Sequence, residues 1–150
     1  MPSRLHDTDF YTWSHKQAVL LRTGQLSKID ADLLAEEIED MGNEIRNACC
    51  SFIRHILEHL LKLRYSSQDA PRKHWRREIV NFRVELDQRL TNSIKHQIDL
   101  PKLYRQAVRL AVANLDEPDF DGHLPETCPW TLAQVRDEDF WPDSPTTDPS

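Results

Sequence analysis

His55 and His59 stand four residues apart in the run His55-Ile56-Leu57-Glu58-His59-Leu60-Leu61-Lys62-Leu63. On a helix that spacing puts both imidazoles on one face, about one turn apart. Two such imidazoles can hold one metal ion, and Glu37 and Glu58 are carboxylates of the kind that complete metal sets in helical bundles. One reading is therefore a metal-binding or metal-dependent hydrolytic bundle using His55, His59, Glu37 and Glu58. Distance weighs against it. Glu37 and His55 share nearly the same helical angle but lie ~27 Å apart along a straight axis. They can meet at one ion only if the helix folds back at Gly42 or a second subunit contributes. Glu-x-x-His occurs at neither His74 nor His96, which has Ser93 in the acid's place. The residues favour His59 as a core histidine bonded to a partner, with His55 at the rim.

The second cluster is acidic. Residues 30–44 hold seven acids and no base, among them Glu36, Glu37, Glu39, Asp40 and Glu44. Near the start of a helix the dipole and free N–H groups stabilise negative charge. Even so, Glu36 and Asp40 are like charges at i,i+4, which disfavours the helix unless a cation sits nearby. The nearest candidate is the chain's own basic stretch, residues 72–95, with seven bases against three acids. The alternative is a basic segment of another molecule.

In that stretch Arg72, Lys73, Arg76, Arg77 and Arg83 could contact phosphate, with Trp75 among them. A nucleic-acid site usually belongs to a basic domain, whereas this chain carries a net charge of −6. Nucleic acid is not the partner the composition favours. Gly24, Gly42 and Gly122 are scattered singly, so no glycine loop can cradle a phosphate, and no cofactor is implied. Cys49 and Cys50 are adjacent and Cys128 is isolated, a pattern of small hydrophobes in a reducing compartment. Trp13, Trp75, Trp130 and Trp141 each fit an apolar position and read as core and clamp residues.

Helices must position all of these. Asp7 or Thr8 can cap a first helix running to about Thr23, with Phe10, Trp13, Gln17, Leu20 and Leu21 as its packing face. Gly24 suits the left-handed residue after a helix end. Asp30 is the expected cap of a second, long helix. There Leu34, Ile38, Met41, Ile45, Cys49, Phe52, Ile56, Leu60 and Leu63 step by threes and fours. That stripe is expected to lie against the protein's own neighbouring helices. Pro71 ends a connector, and Trp75, Ile79, Phe82, Leu86 and Leu90 mark a third helix. Asp99 with Pro101 starts a fourth, faced by Leu103, Ala107, Leu110 and Ala111, whose pattern fades at Pro118. Beyond it, Thr131 and Gln134 make a capping-box pair. Residues 119–142 read as a Trp- and Pro-rich arm laid on the bundle, and 143–150 as a flexible tail.

The expected fold is thus all-α, a single-domain bundle of four main helices over residues 7–142. With 150 residues the chain is of usual one-domain size, and 3 Gly against 29% charged residues is unlike a β-sandwich. No apolar run approaches the ~20 residues of a membrane span, and the N-terminus lacks a signal peptide's features. A cytoplasmic protein, with no membrane partner, is the expectation.

Five stretches together resemble one family. They are Asp9-Phe10-Tyr11-Thr12-Trp13, the run Leu34 to Gly42, His59-Leu60-Leu61-Lys62-Leu63, the pair Trp75-Arg76, and the stretch from Cys128-Pro129-Trp130 through Phe140-Trp141-Pro142. They are similar to the bacterial, largely cyanobacterial "domain of unknown function 29" family from about Asp7 to Pro142. His74 replaces a serine usual there, and Arg136 stands where an apolar residue is expected. The resemblance implies an all-helical fold and brings no catalytic residues with it. The residues themselves point to a non-enzymatic module that binds another protein, or itself, through the acidic face of Glu36, Glu37, Glu39, Asp40 and Glu44.

Overall fold

A computed structural model describes residues 4–142 as helices and connecting turns, with no strand among them. The helices are α1 (Arg4–Thr8), α2 (Phe10–Arg22), α3 (Ala31–Tyr65), α4 (Arg72–Arg89), α5 (Asn92–Lys95), α6 (Leu100–Asn114) and α7 (Leu132–Arg136). The all-α expectation holds. Two compact units share α3, one ending at Glu44 and the other beginning at Ile45. The expected tail, 143–150, lies outside the described residues.

In the N-terminal unit α2 begins at Phe10, later than Asp7 or Thr8 would have started it. The Asp9 carboxylate sets that start, accepting the Thr12 N–H at 3.1 Å and the Thr12 hydroxyl at 2.6 Å. Residues before it form the separate turn of α1. Trp13 and Gln17 are the buried side chains of α2, while Phe10 and Leu21 of the expected packing face are exposed. Trp13 Nε1 donates to Asp30 Oδ2 at 2.6 Å, and Gln17 both donates to that oxygen and accepts the Asp30 N–H. Asp30 therefore fastens α2 with its side chain, where a cap for α3 was expected. Its carbonyl still accepts the first bond of α3, from Leu34 N–H. Gly24 takes the left-handed conformation expected after α2, at φ +73°.

Helix α3 is unbroken through Gly42 for 35 residues, ~50 Å. Its apolar stripe divides into two parts. Cys49, Ile56, Leu60 and Leu63 are buried, whereas Ile38, Met41 and Ile45 are 66%, 65% and 47% exposed. The expectation that neighbouring helices cover the whole stripe is corrected here. In the C-terminal unit the covering is wider than one stripe, because Ile53, Leu57 and Leu61 are buried as well.

Three elements supply that cover. Helix α4 runs antiparallel to α3, since Phe82 packs near Phe52 and His59 while Lys62 lies over the Trp75 ring. Helix α6 runs parallel to α3. Arg54 bonds Gln106 near its middle, and Ser66 bonds Glu117 just beyond both helices. Asp99 caps α6 as expected, accepting the Lys102 N–H, and the Thr131–Gln134 capping box starts α7.

The arm after α6 completes the core with Phe120, Trp130 and Val135. Arg83 of α4 holds it down. Its guanidinium donates to the carbonyls of Val135 (2.9 Å), Phe140 (2.9 Å) and Gln134 (3.3 Å). The guanidinium groups of Arg76 and Arg83 both lie over the Trp141 ring, each about 5 Å from its centre.

Candidate functional site

Among the described residues the N-terminal half of α3 is a long helical stretch that is mostly exposed. Glu36, Glu39, Asp40 and Glu44 are all exposed. At 100° per residue Glu36, Glu39 and Asp40 face away from Ile38, Met41 and Ile45, and Glu44 borders that stripe beside Met41. The result is an amphipathic segment in which both faces meet solvent. None of these four carboxylates is in an ion pair among the described residues.

Glu37 departs from the group. It is half-buried, and its Oε1 meets His6 Nε2 at 2.7 Å. The other ring nitrogen of His6 meets Asp7 at 3.0 Å, and the ring stands edge-on to Trp13. These bonds, to Asp7 first and to Glu37 next, hold the His6 pKa above its ordinary 6.5. Glu37 is thus a fastening between α1 and α3, invisible to helical spacing because 31 residues separate the pair.

The metal-site candidates are placed as follows. His59 is buried, its Nδ1 donating to the His55 carbonyl at 2.7 Å and its ring edge-on to Phe82. Burial holds its pKa below 6.5, favouring the neutral ring. His55 is half-exposed and stacks on the same phenylalanine. Glu58 is buried with Lys62, whose Nζ donates to Oε2 at 2.9 Å. Burial alone would raise the Glu58 pKa, but the ammonium group outweighs it and the carboxyl sits below its usual range. Helix α3 is continuous through Gly42, so the fold-back there that the sequence left open does not occur. Among the described residues no group of three or more His, Cys, Asp or Glu side chains is arranged to hold a metal ion.

The basic stretch also sorts by partner. Arg83, counted from the sequence among phosphate-contact candidates, is buried under the arm. Burial draws its pKa down to about 10, so it remains a cation at neutral pH. Arg89 bonds Glu85 at 2.6 Å, and Arg136 lies 3.6 Å from Asp87. That ion pair accounts for a charge at the position where an apolar residue was expected. Lys73, Arg76 and Arg77 remain exposed.

Spacing could have exposed the role of Arg83. It falls four residues after Ile79 and three before Leu86, on the inner face of α4, where a lone cation needs buried acceptors. All three cysteines are free thiols, Cys49 fully buried and Cys50 and Cys128 half-buried. Among the described residues no helix is long and apolar enough to cross a membrane.

The described residues thus form an all-helical protein with a hydrophobic core and an uncovered amphipathic segment at the start of α3. The chain belongs to the family described as domain of unknown function DUF29, whose model matches residues 5–141 of the 150. No curated protein and no solved structure matches it.

Proposed function

We propose that this protein is a non-enzymatic binding module whose working part is the N-terminal half of α3. The partner is a protein surface that offers an apolar groove rimmed by lysine and arginine. The observation that carries this is the exposure of Ile38, Met41 and Ile45 at i, i+3 and i+7 on a helix whose other side is acidic. Helices that dock into grooves present anchors at those intervals, and flanking charge of one sign selects a groove of the other. Glu36, Glu39, Asp40 and Glu44 supply the charge, while Glu37 keeps α1 in place. Two such segments would repel each other side by side, so a basic partner fits better than direct pairing of acidic faces. Three free cysteines favour a reducing, cytoplasmic setting for that encounter.

The test uses two double variants of the full chain in capture from native host extract. Ile38→Asp with Met41→Asp removes the anchors, and Glu36→Lys with Asp40→Lys reverses the charge. Both should lose a basic protein that the wild type retains, with α-helical circular dichroism unchanged. A partner retained equally by both variants would overturn the assignment.

A further inference from the structure

The C-terminal unit holds a polar groove of about 410 Å³ between α3 and the α5–α6 segment. Arg46 and Arg54 rise from its α3 wall, and Gln97, Lys102 and Gln106 form the facing wall. Each arginine touches a glutamine. Arg46 Nη1 is 3.5 Å from Gln97 Oε1, and Arg54 Nη1 donates to Gln106 Oε1 at 3.0 Å. A neutral amide oxygen accepts a hydrogen bond without cancelling the charge. Neither arginine has a carboxylate partner among the described residues, and neither does Lys102. Asp99 is the carboxylate at this groove, and it is held by the Lys102 N–H at 3.1 Å.

Several cations of the unit are fully engaged by the chain itself, Arg83 by three peptide carbonyls and three others by carboxylates. Lys62 faces Glu58, Arg89 faces Glu85, and Arg136 faces Asp87. Acids outnumber bases 25 to 19 in this chain, so carboxylates were not scarce. Arg46 and Arg54 are half-buried in one groove, and each spends one donor on an amide oxygen, which leaves further N–H groups of both guanidinium groups open. Guanidinium groups with open donors match phosphate and carboxylate oxygens in a two-pronged fashion. Arg46 and Arg54 are eight residues apart, ~12 Å along the axis, so they serve opposite ends of the groove. Its size falls in the small-molecule range.

We propose that this groove binds a small molecule bearing two or more anionic groups, phosphate or carboxylate, with one end held by Arg46, the other by Arg54, and Lys102 between. The groove uses none of the apolar anchors or exposed carboxylates assigned above to the docking segment, so each proposal stands or fails alone.

Calorimetric titration of the full chain at low ionic strength, with pyrophosphate and separately with citrate, tests it. Saturable binding of one molecule per chain is expected for at least one probe, and the preferred probe tells phosphate from carboxylate. Arg46→Gln with Arg54→Gln should weaken it about a hundredfold, about tenfold for each guanidinium removed. Millimolar pyrophosphate and citrate both failing to bind, or binding equally to the variant, would overturn the proposal. If the variant does not fold, amide shifts in the wild type decide. Changes centred on Arg46, Arg54, Gln97 and Gln106 support the site, and changes scattered over the chain refute it.

Discussion

The guanidinium of Arg83 donates through Nε to the Val135 carbonyl at 2.9 Å, across 52 residues of chain. With its bonds to Gln134 and Phe140, this ties α4 to the last described segment. Replacing Arg83 by Met leaves those carbonyls without a donor, and a bond from a charged group is typically worth about 1.5–3 kcal/mol. Arg83→Met should lower unfolding stability by about 3–5 kcal/mol, with loss of the Trp141 environment. Urea denaturation followed by tryptophan fluorescence measures both, and a fall within about 0.5 kcal/mol would refute the anchor.

The Glu58–Lys62 pair predicts a marked asymmetry between single and double changes. Lys62→Met strands a buried carboxylate and should cost about 3–5 kcal/mol, while Glu58→Leu with Lys62→Met should be nearly neutral. The pH dependence has a definite sign. The folded-state pKa of Glu58 is depressed below 4.5, so its contribution is present above 4.5 and fades as pH falls through the lower folded value. Chemical denaturation from neutral to acid pH should show that loss in the wild type and not in the double variant.

The division of the α3 stripe is directly measurable. Ile53→Ala, at a fully buried site, should destabilise by about 2–5 kcal/mol, whereas Ile38→Ala should change stability by about 0.5 kcal/mol or less. Comparable losses at both positions would show that Ile38 is covered in solution.

His6 should titrate above its ordinary value of 6.5 in the folded protein. A raised pKa means that its contribution to holding α1 is complete below 6.5 and is lost as pH rises through the folded value. Imidazole NMR titration should show Glu37→Gln moving that midpoint downward. Amide exchange in Arg4–Thr8, corrected for the intrinsic rate, should quicken above the midpoint.

Much of this architecture is legible in the sequence because it is local. The Asp99 cap, the Thr131–Gln134 box and the turn at Gly24 each need only a few neighbouring residues. The stripe of α3 shows where its boundary lies. Three-and-four spacing reports that a helix has an apolar face, and it is silent on what lies against that face. Ile38 and Ile56 therefore look alike in the sequence and differ completely in burial. The same applies to Asp30, whose spacing suits a cap but whose carboxylate is taken by Trp13. Among the candidate site residues, Glu36, Glu39, Asp40 and Glu44 are exposed as an acidic face requires. Glu37 is diverted by a histidine 31 positions away. Long-range pairs leave no periodic trace.

Arg83 grips peptide oxygens, which every residue type carries. The clasp itself therefore asks nothing of the side chains at 134 and 140, which answer to the capping box and the core instead, yet position 83 admits no substitute offering fewer prongs. As far as this grip is concerned, sequence drift should thus be lopsided: tolerated wherever a strap residue serves only through its peptide, frozen at the buckle.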